Sequence, residues 1–129
     1  MQQILIIDDA PDLVATLREA LEGEGYGVRD ETGPYALLSA EQTATHLILL
    51  DMLMPHMSGP CMLEYLTSAP ATRRIPVVVM SGLDASDQIV TGAGGAAQLP
   101  KPFDLDELLD VVRRHALPDD DAPSEGARP

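Results

Sequence analysis

The sequence predicts an α/β fold: a parallel sheet with helices on both of its faces. Three observations lead there. Short apolar runs at Ile4–Ile7, Leu47–Leu50 and Pro76–Met80 each stop at a polar residue: Asp8-Asp9, Asp51 and Ser81-Gly82. Uniformly apolar runs of this length suit strands buried on both faces, as parallel sheets require. The segments between them repeat apolar residues at helical spacing, so strand and helix alternate. A chain of 129 residues, 45% hydrophobic, is long enough for one sizeable core.

Ile4–Ile7 is the first strand. Pro11 suits the first turn of the helix that follows, where Leu13, Leu17 and Leu21 form a stripe ending near Gly23 and Gly25. Gly27–Thr32 is a short second strand of weak apolar content, and Gly33-Pro34 restarts the chain into a helix with Ala36, Leu37, Leu38 and Ala40. Leu47–Leu50 and Pro76–Met80 are the third and fourth strands. Between them Met62, Leu63 and Leu66 place a third helix over Gly59–Ser68.

From Asp84 to Gly95 the sequence predicts only a short or frayed fourth helix, because Gly92, Gly94 and Gly95 each weaken a helix by about 1 kcal/mol relative to Ala. Ala96–Leu99 is a brief fifth strand. The last helix opens on Asp104 as a cap, with Glu107 three residues later, and its stripe is Leu105, Leu108, Leu109 and Val112. From Pro118 to Pro129 the composition turns to Asp, Pro, Ser, Gly and Ala without periodicity. Residues 1–117 are therefore expected to form one domain, and 118–129 a solvated tail or the start of a linker.

A net charge of −13 argues against a nucleic-acid backbone or an anionic membrane as the main partner, since both repel an acidic surface. The apolar runs are too short to span a bilayer. One cysteine, Cys61, cannot form an internal disulfide, and the start lacks the pattern of a signal peptide, so the cytoplasm is the expected compartment. Cys61 reads as a small buried residue. His46, His56 and His115 are too scattered for a metal set, and Met52, Met54, Met57 and Met62 read as packing around the third helix.

Sites in sheets of this kind lie at the carboxyl ends of the strands. Asp8, Asp9, Asp51, Ser81 and Lys101 all fall there. If the first and third strands are neighbours, three carboxylates converge, and hard oxygen ligands in a small cluster suit Mg²⁺. A carboxylate can act as nucleophile and become an aspartyl-phosphate, and Asp51 ends a central strand. Phosphoryl transfer needs a metal, a fixed cation and a hydrogen-bond donor around the phosphoryl oxygens, and Lys101 and Ser81 supply the last two. Prolines flank Lys101, and a Lys101–Pro102 bond can be cis. An Asp after a strand is often only a cap or turn residue; Asp8 and Asp51 arriving together with Ser81 and Lys101 as a phosphotransfer set are not explained that way.

Taken in order, Asp8-Asp9, Asp51 followed by Met54-Pro55 and Gly59, Ser81-Gly82, and Lys101-Pro102-Phe103 resemble the receiver domains of response regulators. The resemblance runs from about Gln3 to Ala116. It implies a doubly wound five-stranded sheet of order 2-1-3-4-5, the flavodoxin-like three-layer sandwich. It also implies Asp51 as phosphoacceptor, Asp9 as direct metal ligand, Asp8 acting partly through water, and the Leu53 main-chain carbonyl completing the protein ligands. In that family a Ser or Thr matching Ser81 swings toward the phosphoryl group, and an aromatic residue three before the lysine follows it. This sequence has Gln98 there, which puts the aromatic half of the switch in doubt.

The expected role is a phosphoacceptor rather than an enzyme with an external substrate. Its phosphodonor would be a histidine kinase or histidine phosphotransfer protein. Output would go to a downstream protein or to an output domain outside this sequence, and a homodimer stays open. An enzyme reading is a haloacid-dehalogenase-like phosphatase, but those enzymes resemble one another in a second Asp two residues after the nucleophile, where this chain has Leu53. A third reading is a receiver-like module that signals without phosphate; the intact acidic set counts against it.

Overall fold

The three central strands of the sheet are short and apolar because they are covered on both sides, and their residues alternate between two separate cores. The computed structural model describes residues 1–32, 35–54, 57–81 and 97–119. The main sheet comprises β1 (Gln3–Ile7), β2 (Gly27–Glu31), β3 (Leu47–Asp51), β6 (Val77–Ser81) and β7 (Ala97–Pro100), in the order β2-β1-β3-β6-β7 with every pairing parallel. Counting these five strands alone, this is the 2-1-3-4-5 order expected from the resemblance. A two-residue hairpin, β4 (Leu53–Met54) with β5 (Met57–Ser58), stands apart from the sheet. No apolar period announces strands of two residues, so the sequence gives no signal for it.

Among the described residues the helices are α1 (Pro11–Gly23), α2 (Tyr35–Gln42), α3 (Gly59–Ser68) and α4 (Leu105–His115). One core joins Leu5, Ile7, Ile48, Leu50, Val77 and Val79 to Ala36 and Ala40 of α2 and Met62, Leu63 and Leu66 of α3. The other joins Ile4, Ile6, Leu47, Leu49, Val78 and Met80 to Val14, Leu17 and Leu21 of α1 and Leu108 and Val112 of α4. A one-residue slip of β1 or β3 would exchange the two sets, which is how the pattern fixes register.

Local chemistry sets the helix ends. Pro11 occupies the first turn of α1, and Gly25, at φ 94°, turns the chain into β2. Asp104 caps α4 as expected, its Oδ1 accepting the Glu107 amide at 2.8 Å. Just past α2, the half-buried Arg29 of β2 donates to the Ala44 carbonyl at 3.1 Å and to Thr45 Oγ1 at 2.7 Å. Burial pulls its pKa below the ordinary arginine value.

Two expectations need correction. Cys61 is exposed rather than buried, because it lies on the outer face of α3 while Met62 and Leu63 turn inward. Leu105 is also exposed: it opens α4 before the helix closes on the sheet, and the buried stripe is Leu108 and Val112. In α1, Val14 joins Leu17 and Leu21 in the core, whereas Leu13 is only partly buried. The expected helix at 84–95, His56 and residues 120–129 lie outside the described residues. Among the described residues, no helix is long and apolar enough to cross a membrane.

Candidate functional site

Parallel pairing brings the carboxyl ends of the strands to one rim. Ile7 pairs with Leu50, so Asp8 and Asp51 leave adjacent strands at the same level. Asp51 pairs with Met80, and Ser81 with Pro100, which places Lys101 one residue beyond. The alignment follows from the packing registers, without a special loop.

Within this rim, ligand oxygens of Asp8, Asp9 and Asp51 all lie within 4.8 Å of one another. Asp8 and Asp51 are buried, at 3% and 4% exposure, whereas Asp9 is exposed. Lys101 Nζ lies 3.2 Å from Asp51 Oδ1, to which it donates a hydrogen bond, and 3.7 Å from Asp8 Oδ2. One ammonium therefore contacts both buried carboxylates of the three. The Lys101–Pro102 peptide is cis.

Asp8 Oδ1 accepts the Ala10 amide at 2.9 Å, an Asx-type bond that fixes its carboxylate at the start of α1. Its pKa is raised above the ordinary 3.8. Burial is the main cause; the Ala10 bond opposes it, Asp51 adds to the rise, Lys101 lowers it, and Asp9 raises it further. Asp8 Oδ2 is buried and receives no hydrogen bond among the described residues. A buried carboxylate oxygen without a hydrogen bond, beside two further carboxylates, fits a small hard cation, which prefers such ligands.

The segment after Asp51 is shaped by close approach. Met52 donates its amide to the Met80 carbonyl at 3.1 Å, extending the β3–β6 ladder past the phosphoacceptor candidate. Gly59 opens α3 directly against Met52: a Cβ there would lie 2.6 Å from Met52 Cα and 2.8 Å from its carbonyl oxygen. Glycine is thus required by packing against main chain. Leu53 begins the hairpin two residues after Asp51, and the main chain of Ser81 ends β6 beside β7. Gln98 pairs with Val79 and is half-buried, with its side-chain oxygen inside. Asp8, Asp9, Asp51 and Lys101 are therefore brought together as side chains; Ser81 pairs with Pro100 next to Lys101, and Leu53 follows Asp51 by two residues.

Residues 4–113 match the family model described as the response regulator receiver domain. The chain belongs to that family. As a receiver domain it is 37% identical over 114 residues to the response regulator PleD of Caulobacter vibrioides, covering 86% of this chain and 25% of PleD. It is 34% identical over 116 residues to the transcriptional regulatory protein KdpE of Mycobacterium tuberculosis, covering 88% of this chain and 50% of KdpE. The chain thus spans between a quarter and half of these relatives. Among solved structures, the receiver domain of the sensor histidine kinase PA1611 of Pseudomonas aeruginosa, with a magnesium ion in its active-site cleft, is similar at a TM-score of 0.80 and 27% identity. That match covers 88% of this chain and 96% of the other. The chemotaxis protein CheY4 of Vibrio cholerae shares the fold at a TM-score of 0.82 and 24% identity, covering 89% of this chain and 98% of CheY4. The receiver function in two-component signalling follows from this membership, and neither the phosphatase reading nor the phosphate-independent module finds support.

Proposed function

We propose that this receiver takes a phosphoryl group on Asp51. The observation that carries the reading is the Lys101 ammonium 3.2 Å from the Asp51 carboxylate, in a cluster whose other charges are Asp8 and Asp9. An Asp51 oxygen attacks the phosphorus of a phosphohistidine, the P–N bond breaks, and the imidazole leaves with the electron pair, forming an acyl phosphate on Asp51. The donor is a histidine kinase or a histidine phosphotransfer protein. Water later hydrolyses the acyl phosphate, and no external substrate is turned over.

Asp8, Asp9 and Asp51, with the Leu53 main-chain carbonyl, are the proposed Mg²⁺ ligands. The ion, when bound, neutralises the carboxylates and supplies positive charge to the phosphoryl oxygens. Lys101 exchanges its bond to Asp51 for one to a phosphoryl oxygen, and the Ser81 hydroxyl donates to another. Asp8, anchored by the Ala10 amide through Oδ1, offers Oδ2 to the cluster. The domain runs from residue 1 to 117, the chain works in the cytoplasm, and output passes to a protein partner or to a domain outside this sequence.

Intact-mass analysis after incubation with Mg²⁺ and acetyl phosphate tests the assignment. One phosphoryl group should appear on the parent and none on Asp51→Asn, because an amide is not an anionic nucleophile. Equal labelling of the two would overturn it.

A further inference from the structure

At the opposite rim of the sheet, where the strands begin, His46 is buried and bonded on both ring nitrogens. Nδ1 accepts the main-chain amide of Gln3 at 2.8 Å, and Nε2 lies 2.9 Å from the Asp119 carbonyl. These partners fix the tautomer: Nδ1 carries no proton, and Nε2–H donates to the carbonyl. The main chain of His46 reaches the same segment, its carbonyl accepting the Leu117 amide at 3.0 Å. Gln2 Nε2 donates to the Leu117 carbonyl at 2.7 Å. The last helix ends at Ala116 in extended backbone, and the chain is then drawn back across the first residues of β1 and β3.

We propose that His46 is a proton-sensitive latch that docks residues 117–119 against the sheet and so fixes the direction in which the chain leaves the domain. The acceptor at Nδ1 exists only while the ring is neutral. A second proton there faces the Gln3 N–H, donor against donor, and the ring must leave its position between β1 and Asp119. The charged groups facing the ring are the Asp119 carboxylate, Oδ1 at 3.9 Å from Nε2, and, bound to that carboxylate, the Met1 ammonium at 2.7 Å. Gln3 and Leu117 present main-chain groups alone. Asp119 is exposed and partnered by the ammonium, so its carboxylate does not replace the lost Gln3 bond. The latch is independent of the chemistry at Asp51, which lies at the other end of β3.

The test uses the whole chain and amide hydrogen exchange read by NMR. In His46→Phe, which keeps a ring but has no ring nitrogen, exchange at Gln3 and Leu117 should quicken by about tenfold, the loss expected for one hydrogen bond of ordinary strength. Protection of Ile48 to Leu50 should stay. Unchanged exchange at Gln3 and Leu117 would overturn the proposal. A titration of the parent gives a second reading without substitution: the Gln3 and Leu117 amides should lose protection in step with protonation of the His46 ring, followed by its own nitrogen shifts. Amides that hold their protection while the ring titrates would equally overturn it, and this reading decides the matter if His46→Phe does not fold.

Discussion

Replacing Lys101 by Met removes one charge and keeps the length of the side chain. In the parent, at an effective dielectric constant of 20, its ammonium attracts Asp51 and Asp8 by about 5 and about 4 kcal/mol in gross Coulomb energy at the observed 3.2 and 3.7 Å. Desolvation cancels much of this. Removing one partner of a buried ion pair costs about 3–5 kcal/mol, and because Lys101 is 29% exposed, we expect somewhat less than that, about 2–3 kcal/mol. Urea denaturation of Lys101→Met and the parent in metal-free buffer measures the loss. Repeating it in saturating Mg²⁺ tests the cause. A cation bound by the same carboxylates stabilises the parent by about 2.7 kcal/mol at a hundredfold excess over Kd, and it should stabilise the variant more, since no ammonium competes for the oxygens. The gap between the two proteins should therefore narrow in Mg²⁺. A gap that is absent in metal-free buffer, or that Mg²⁺ leaves unchanged, would refute the argument that Lys101 is the counter-charge of this cluster.

Because the folded-state pKa of Asp8 is raised, the folded protein holds its proton more tightly than the unfolded chain does, so in metal-free buffer stability should fall as pH rises through and above the ordinary aspartate range. Asp8→Asn, which keeps an acceptor for the Ala10 amide, should flatten that slope and raise stability at neutral pH; an unaltered profile by denaturant titration would count against burial as the cause. Calorimetric titration should show Asp9→Ala weakening Mg²⁺ binding most among the single carboxylate changes, and equal affinity in Asp9→Ala and the parent would remove Asp9 as a direct ligand. Gly59→Ala places a Cβ into the Met52 main chain and should destabilise by about 1–3 kcal/mol while slowing labelling of the neighbouring Asp51, as read by intact mass. Asp104→Ala should cost about 1 kcal/mol and raise hydrogen exchange in the first turn of α4 alone.

Where the sequence speaks through local chemistry, it is legible. Apolar runs closed by Asp8, Asp51 and Ser81 mark three strands of the main sheet to within a residue at either end, and Asp104 with Glu107 marks the start of the last helix. Strand order came from the likeness to receiver domains rather than from periodicity, which cannot say that β1 lies between β2 and β3. The convergence of Asp8, Asp9, Asp51 and Lys101 follows once that order is granted, since residues just past adjacent parallel strands share a rim. What stayed hidden depends on contacts between distant segments. His46 looked solitary in the sequence because its partners, Gln3 and Asp119, lie 43 and 73 residues away. Cys61 and Leu105 were misplaced because a helical stripe fixes which residues share a face but leaves its edges open.

The parallel register that gathers the acidic cluster also separates it from the point where the chain departs. Gln3 begins β1 and Asp8 follows its end, so a five-residue strand of about 3.3 Å per residue, roughly 16 Å in all, divides the two. At physiological salt the screening length is about 8 Å. Exposed charges near residues 117–119, such as Asp119 and the Met1 ammonium, therefore act only weakly on Asp51. Substitutions there and around Asp51 should combine additively, since they share no partner. The segment after the last helix can therefore vary without retuning the acidic rim.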